Sequence, residues 1–163
     1  MPAVVLSAVR KSYREGGRER PVLDGVDLAV EAGELVVLLG RSGSGKSTLL
    51  NLVAGLDRPS AGRVELAGHD LGALSERGRT LVRRRHVGFV FQLYNLLPTL
   101  TVAENVRLPL ELAGRSGAGE RRRADELLAA VGLADRAGDF PDRLSGGEQQ
   151  RVAVARAPVH DPT

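Results

Sequence analysis

The sequence predicts an α/β fold whose strands come early and whose second half is mainly helical. The first observation behind this prediction is a continuous apolar run, Leu35–Leu39, followed by a glycine-rich loop and then by apolar residues with helical spacing. The second is a pair of capping-box patterns, beginning at Thr101 and Ser145, that mark helix starts. The third is composition, because 42% of the 163 residues are hydrophobic, as in a globular domain.

Several strands are predicted in the first half. Ala3–Val9 is rich in valine, and Val26–Val30 alternates apolar and acidic residues, as expected of a half-buried strand. Arg14–Arg20 is charged and contains glycine, so we expect an exposed loop there. Leu35–Leu39 is typical of a strand buried on both faces of a parallel sheet. Further strands are predicted at Gly62–Leu66 and Val87–Val90.

Helices are predicted from apolar spacing and from start and stop signals. Pro109 is expected to kink the helix that begins after Thr101, and Gly132 to end another. The other predicted helices are Lys46–Leu56, Ser75–Arg85, Arg121–Val131 and a last helix from Ser145 through Ala157.

Composition excludes several classes of function. There are no cysteines, so disulfides, thiolate metal sites and cysteine nucleophiles are excluded. His69, His86 and His160 lack metal-ligand spacing and are expected at the surface or in loops. No apolar run approaches the ~18–20 residues of a membrane span, and the absence of a charged leader predicts no secretory signal. The net charge is only +3, so we expect no nucleic-acid partner.

The strongest chemical signal is a glycine-lysine loop between a predicted strand and a predicted helix, with the pattern G-x-x-x-x-G-K-[ST]. Glycines let the backbone curl so that N–H groups point at phosphate oxygens, and the helix start adds its positive dipole end. Lys46 supplies a charge for the β- and γ-phosphates, and Ser47 a hydroxyl for Mg²⁺. The predicted phosphate site comprises Gly40, Arg41, Ser42, Gly43, Ser44, Gly45, Lys46, Ser47 and Thr48.

A second segment, Leu144 to Arg151, places a serine and two glycines at a predicted helix start. Locally it is a capped helix start, and the same hydroxyl and backbone N–H groups also suit an anion. One chain then has two helix N-termini that are predicted to bind phosphate, about 100 residues apart. This spacing favours two half-sites, each completed by a second copy.

The glycine-lysine loop, followed at this distance by Leu-Ser-Gly-Gly-Glu-Gln-Gln-Arg, resembles the nucleotide-binding domain of ATP-binding cassette (ABC) transporters. The second segment matches that family's signature sequence without a mismatch. The resemblance implies signature residues that act in trans on the nucleotide of a second copy, namely Leu144, Ser145, Gly146, Gly147, Glu148 and Gln149.

Two further residues take roles from the same resemblance. Val87–Gln92 is similar to the family's Q-loop, which implies that Gln92 contacts metal and water; with Ser47 it forms the implied Mg²⁺ contacts. Lys11-Ser12-Tyr13 resembles the A-loop, which implies that Tyr13 stacks on adenine. Such stacking is worth ~1–3 kcal/mol and tolerates any base. Without the resemblance, Tyr13 would be interpreted as a packing residue and Gln92 as a polar residue at a strand end.

The resemblance covers essentially the whole chain and implies its organisation. A P-loop NTPase core with an antiparallel N-terminal β subregion is expected over about residues 1–92, and a helical signature subdomain over about 93–157. ATP and Mg²⁺ are the implied cofactors. The implied partners are a transmembrane transporter subunit and, for the complete domain, a second nucleotide-binding domain, at the cytoplasmic face of the plasma membrane. Gln92–Pro98, with Thr101–Pro109 after it, resembles the subfamily that serves lipoprotein release and macrolide-type efflux.

In the family, a hydrophobic strand ending in Asp-Glu follows the signature helix, and a D-loop and a switch histidine come later. None of these lies within the 163 residues, so we expect a domain incomplete at its C-terminus; His160 and Asp161 are not assigned to these roles. Two functions remain open. One is an ATP-binding subunit that powers a transporter, and the other is a non-catalytic remnant without ATP turnover. We expect no useful hydrolysis, because no carboxylate follows a hydrophobic strand to polarise the attacking water.

Overall fold

The computed structural model describes residues 2–162, and a long antiparallel hairpin organises its first half. β1 (Pro2–Glu15) pairs with β2 (Arg18–Glu31). Gly16 and Gly17 join them with φ angles of 57° and 80°. A two-residue hairpin turn of this type needs positive φ at both positions, which glycine adopts without strain.

The exposed loop predicted over Arg14–Arg20 is therefore wrong. Most of these residues continue the two strands, and the register sets Arg14 opposite Glu19 and Glu15 opposite Arg18. Opposite charges that face each other across an antiparallel pair favour the pairing. A charged segment was interpreted as a loop, whereas its charges alternate in a way that suits the end of a solvent-exposed hairpin.

β3 (Ala61–Leu66) and β4 (His69–Asp70) complete a sheet with the order β2-β1-β3-β4, in which all neighbours are antiparallel. α1 (Lys46–Val53) packs against β3, and α2 (Glu76–His86) follows the sheet. α1 ends at Val53, three residues before the predicted end, with Ala54 as its C-cap. The buried apolar side chains of this half include Leu6, Val9, Leu23, Leu52, Val64 and Leu66.

The predicted strands Leu35–Leu39 and Val87–Val90 are not strands in the structure. Leu35 and Leu39 are 89% and 88% exposed, so the first of these segments is not buried either. A strand forms only when neighbouring backbone satisfies its N–H and C=O groups. Among residues 2–162, every strand belongs to the four-stranded antiparallel sheet, and neither segment pairs with it.

The chain divides into two compact units, the second of which is Val87–Pro162. Its helices are α3 (Val102–Leu112), α4 (Ala118–Ala130) and α5 (Gly146–Arg156), which pack against one another. Short 3-10 turns at Ala134–Arg136 and Pro141–Arg143 lead into α5. The apolar core of this unit includes Val102, Val106, Leu110, Leu128, Leu133, Val152 and Val159.

The predicted capping boxes and the glycine stop signal of the second unit are confirmed. Thr101 and Glu104 form a complete capping box at the start of α3, which continues through Pro109 to Leu112. Gly132, with φ of 72°, follows the C-cap of α4. α5 ends before Pro158, so proline does not interrupt its backbone hydrogen bonds. Within residues 2–162, every helix is too short or too polar to span a bilayer.

His160 lies in the turn after α5, as expected of a loop residue, but its side chain is buried and only 9% of the residue is exposed. Burial lowers the pKa of its imidazole, and among the described residues neither ring nitrogen has a hydrogen-bond partner. The other two histidines are less buried, since His69 is exposed and His86 is half-buried. His160 is buried next to Val159, whose side chain belongs to the apolar core. Packing produces this burial, and no sequence motif indicates it.

Asn105 fixes the segment that precedes α3. Its side chain is fully buried, accepts from Leu97 N–H at 2.7 Å and donates to the carbonyl oxygens of Leu97, Leu100 and Thr101, each at 3.0 Å. A buried amide that satisfies four backbone contacts holds the loop and the helix start in one arrangement.

We expect Asn105→Ala to lower the free energy of unfolding by about 2–3 kcal/mol, because it leaves buried backbone groups without partners. Urea denaturation followed by circular dichroism measures this change. Gln150→Ala, which removes an exposed amide from α5, is the control and should change stability by less than about 0.5 kcal/mol. Equal losses in the two variants would contradict the role of Asn105.

Candidate functional site

Lys46, in the predicted phosphate loop, folds back over the backbone of that loop. Its Nζ donates hydrogen bonds to the carbonyl oxygens of Gly40, at 2.7 Å, and Arg41, at 2.8 Å. It also lies 3.3 Å from Ser44 Oγ. The Ser44 N–H donates to Arg41 O at 3.2 Å. These bonds hold residues 40–46 as a curled loop around the lysine ammonium.

α1 begins at this loop without a side-chain cap. Its N-cap residue is Gly45, and no side chain of the described chain caps it. By contrast, Glu104 and Glu148 complete capping boxes at the starts of α3 and α5. The first turn of a helix has N–H groups without intrahelical partners and carries the positive end of the dipole. The start of α1 therefore offers donors and positive potential to an anion.

Gly45 is required at this turn for two reasons. Its φ of 88° lies in the left-handed region that side chains disfavour. A Cβ at this position would lie 2.9 Å from Leu23 Cδ2 and 3.1 Å from the Val22 carbonyl oxygen. The backbone of the loop thus lies directly against β2, and this contact sets where α1 begins.

The loop and the first strand share one cavity of about 440 Å³. This volume is within the range of small-molecule sites. The structure places Tyr13 and the predicted loop residues 42–48 around this cavity. Gly40 and Arg41 do not line it, but their carbonyl oxygens accept hydrogen bonds from Lys46 Nζ. The cavity is lined by Tyr13, Glu15, Arg20, Val22, Ser42, Gly43, Ser44, Gly45, Lys46, Ser47 and Thr48.

Tyr13 has a polar support that the sequence did not indicate. Its hydroxyl donates a hydrogen bond to Asp57 Oδ2 at 2.9 Å, and Asp57 Oδ1 accepts from Lys11 Nζ at 2.8 Å. Asp57 lies 44 residues from Tyr13 in the chain, in the segment after α1. To predict this contact, one would need information on which distant residues pair, and a single sequence does not provide it.

The signature segment forms a fully capped helix start in the second unit. Ser145 Oγ donates to Glu148 Oε2 at 2.7 Å, the Ser145 N–H donates to the same oxygen at 2.8 Å, and Ser145 Oγ accepts from the Glu148 N–H at 3.3 Å. Hydrogen bonds from the Ser145 side chain and backbone hold the pKa of Glu148 below its usual value. Gln149 Nε2 donates to the carbonyl oxygens of Pro141 and buried Leu144. Gly146 and Gly147 are exposed at the helix start.

Gln92 is exposed, in a turn of the second unit. Sequence reasoning missed the residue that holds the chain just after it. Arg156 of α5 donates to the carbonyl oxygens of Tyr94, at 2.7 Å, and Asn95, at 2.8 Å. Tyr94 and Asn95 both have left-handed backbone, with φ of 61° and 48°. The guanidinium is buried, which lowers its pKa from the usual value. Arg156 therefore joins the end of the signature helix to the turn that follows Gln92.

The curled loop and the helix start behind it place the chain in the P-loop class of nucleotide-binding proteins. Comparison with known proteins narrows this class. The chain belongs to the ABC transporter family, whose sequence model matches residues 23–163.

Curated relatives agree with this family. An uncharacterised ABC transporter ATP-binding protein of Mycobacterium tuberculosis is 53% identical over 161 residues, which are 99% of this chain and 65% of that protein. The lipoprotein-releasing system ATP-binding protein LolD of Pseudomonas syringae pv. tomato is 54% identical over 153 residues, 93% of this chain and 67% of that protein. The chain thus spans about 65% of the length of the Mycobacterium relative.

Solved structures show the same fold. The chain aligns with a dimeric ATP-binding cassette, MJ0796, bound to ADP and phosphate, with a TM-score of 0.90 and 43% identity, over 98% of this chain and 70% of that one. A second dimeric structure of this bacterial ABC transporter cassette gives a TM-score of 0.91. The predicted ABC ATPase fold with its antiparallel β subregion is therefore confirmed.

Gly45→Ala and Gly43→Ala form a matched pair that tests the loop contact. Both residues have left-handed φ, 88° and 79°, but a Cβ meets nothing within 4 Å at Gly43. Each variant carries backbone strain of about 1–2 kcal/mol, and Gly45→Ala adds the steric contact with β2. We expect Gly45→Ala to be less stable than Gly43→Ala by about 1–3 kcal/mol in urea denaturation without nucleotide. Equal stability would show that the loop does not lie against β2.

Proposed function

We propose that the chain is the ATP-binding portion of an ABC transporter subunit and that it binds Mg-ATP at the cavity between β1 and the start of α1. The observation that carries this proposal is the uncapped helix start, with a lysine ammonium and the Tyr13 ring at the same cavity. The positive charge and N–H donors at one end of the cavity match the triphosphate of a nucleoside triphosphate, and the aromatic ring face at the other end matches its base.

The phosphate half of the site depends on backbone and charge. N–H groups of the loop and of the first turn of α1 donate to phosphate oxygens. Lys46 Nζ, which lies at the loop carbonyls of Gly40 and Arg41, adds a positive charge for the β- and γ-phosphates. The family of ATP-binding proteins to which the chain belongs supports this assignment.

Ser47 fits a magnesium contact. Mg²⁺ prefers oxygen ligands, and in nucleotide sites it is held by few protein groups together with phosphates and water. Ser47 supplies a hydroxyl at the cavity. Residues 2–162 contain no cluster of three or more acidic or histidine side chains for a separate metal site. Gln92, exposed in its turn, is the second proposed Mg²⁺ contact and orients water.

The signature segment is proposed to act in trans. In a head-to-tail pair of nucleotide-binding domains, Ser145 and the exposed Gly146 and Gly147 of one copy would face the γ-phosphate bound by the loop of the other. The dimeric cassettes with which the chain aligns support such a pair. A transmembrane transporter subunit is the proposed second partner and would hold the chain at the cytoplasmic face of the membrane.

The subfamily proposal is lipoprotein release or macrolide-type efflux. It is supported by the 54% identity to the lipoprotein-releasing ATP-binding protein of Pseudomonas syringae. The 50% identity to a methionine import ATP-binding protein of Streptomyces coelicolor shows that a relative with a different transport role is nearly as similar. The transported substrate is therefore proposed only at the level of the subfamily.

Lys46→Ala should abolish the rise in melting temperature that Mg-ATP gives the unmodified chain. A ligand stabilises the folded state in proportion to the logarithm of its concentration over its dissociation constant, and the variant lacks both the ammonium and the bonds that curl the loop. Differential scanning fluorimetry with and without Mg-ATP measures the shift. Arg84→Ala removes an exposed cation from α2 and should keep the full shift; equal shifts in the two variants would refute the site.

Tyr13→Ala should weaken ATP and GTP by the same factor, because stacking on a ring does not distinguish the edges of the base. A loss of ~1–3 kcal/mol corresponds to removal of one base-aromatic contact. Isothermal titration calorimetry with each nucleotide measures both affinities. Phe140→Ala is a matched control, since Phe140 is 40% exposed and Tyr13 36%. An ATP affinity no lower than that of the control would rule out the stacking role.

A further inference from the structure

We propose that Asp57, held by Lys11, is a positioning residue that fixes the ring of Tyr13 for the base of the bound nucleotide. This inference rests on the proposed function, in which Tyr13 stacks on adenine. It assigns to Asp57 and Lys11 a part in nucleotide affinity, although neither residue lines the cavity.

The anchor of the tyrosine is a fully engaged carboxylate. Asp57 Oδ2 accepts from the Tyr13 hydroxyl at 2.9 Å. Asp57 Oδ1 accepts from Lys11 Nζ at 2.8 Å and from the Arg58 N–H at 2.7 Å. A carboxylate fixed by a backbone donor and a cation cannot rotate freely, so the hydroxyl of Tyr13 is bound to a stationary point.

Lys11 contributes a second constraint on the same ring. Its side chain is buried, with 8% of the residue exposed, and its Nζ also donates to the Arg58 carbonyl oxygen at 2.8 Å. The same Nζ lies 4.7 Å from the centroid of the Tyr13 ring. A cation at that distance from an aromatic face is attracted to it. The ammonium therefore occupies one face of the ring, and the opposite face is the one available to a base.

The charge state of the anchor is stable at neutral pH. Burial would raise the pKa of Asp57, but hydrogen bonds from Lys11, the Arg58 backbone and Tyr13, with the charge of Lys11, hold this pKa below its usual value. Asp57 is thus a carboxylate, and therefore an acceptor only. Tyr13 must then act as the donor in their hydrogen bond, which leaves its hydroxyl proton unavailable to the base.

The physical effect is on the cost of binding. An exposed tyrosine can rotate about two side-chain torsions, and stacking requires one of the resulting orientations. A ring that is already held loses less conformational entropy when the base binds. Because the hydroxyl is engaged by Asp57 and does not contact the base, the gain is the same for every purine nucleotide.

Two variants test this inference by different routes. Asp57→Ala removes the anchor, and Tyr13→Phe keeps the ring but removes the hydroxyl that binds the anchor. Mg-ATP, Mg-GTP and Mg-tripolyphosphate are titrated into the full 163-residue chain by calorimetry. We expect each variant to bind both nucleotides about two- to tenfold more weakly, to bind tripolyphosphate as before, and to lose no more when the two changes are combined.

Asp24→Ala is the matched control, because it removes a carboxylate from β2, in the sheet that carries Tyr13. The Asp24 side chain pairs with Arg10 and is 77% exposed. This variant should leave all three affinities unchanged. If Asp57 has only a structural role, Asp57→Ala will lower the affinities for tripolyphosphate and for both nucleotides by similar factors. That result would overturn the inference. Unchanged nucleotide affinity in Tyr13→Phe would overturn it as well. Because Tyr13→Phe retains the Lys11–Asp57 ion pair, it provides the test even if Asp57→Ala fails to fold.

The same titrations separate this inference from the proposed function. The nucleotide site itself is wrong if the unmodified chain binds neither Mg-ATP nor tripolyphosphate. It is also wrong if the Lys46→Ala variant binds both ligands as tightly as the unmodified chain does. If binding depends on Lys46 and on the Tyr13 ring but not on the Tyr13 hydroxyl or Asp57, the site stands and the positioning role is wrong.

Discussion

The shape of the nucleotide loop depends on the bonds between the Lys46 ammonium and the carbonyl oxygens of Gly40 and Arg41. A glycine-rich segment has little preference for one conformation, and here a cation within the loop selects the curled one. Gly45 then lies against β2, and α1 starts with its N–H groups uncapped. The cavity with Tyr13 on its other side follows from this arrangement.

Local motifs could be predicted from the sequence because local physics specifies them. The capping boxes at Thr101 and Ser145 involve residues three apart, and both are present in the structure. The glycine-lysine loop also has its information within nine residues. The strand predicted at Leu35–Leu39 is absent from the structure because a strand depends on the backbone beside it and not only on its own apolar residues. The hairpin at Arg14–Arg20 was missed because its charges were considered singly and not as pairs across two strands.

The side chains that support the candidate site had no local signal. Asp57 meets Tyr13 across 44 residues, and Arg156 meets Tyr94 across 62. Both are charged residues, whose usual place is the solvated surface. Their positions are decided by packing at the end of α1 and in the second unit. Sequence patterns thus identify the groups that would touch the nucleotide more readily than the groups that hold them.

Arg156 brings a buried positive charge to the turn after Gln92, and no carboxylate among residues 2–162 forms an ion pair with it. In the part of the chain that the structure describes, the hydrogen bonds of this guanidinium go to the carbonyl oxygens of Tyr94 and Asn95, two residues with left-handed backbone. Local fraying of the turn would therefore leave a desolvated cation with no acceptor, which is costly. The turn and the end of α5 consequently behave as one cooperative unit, protected from amide hydrogen exchange together or opened together.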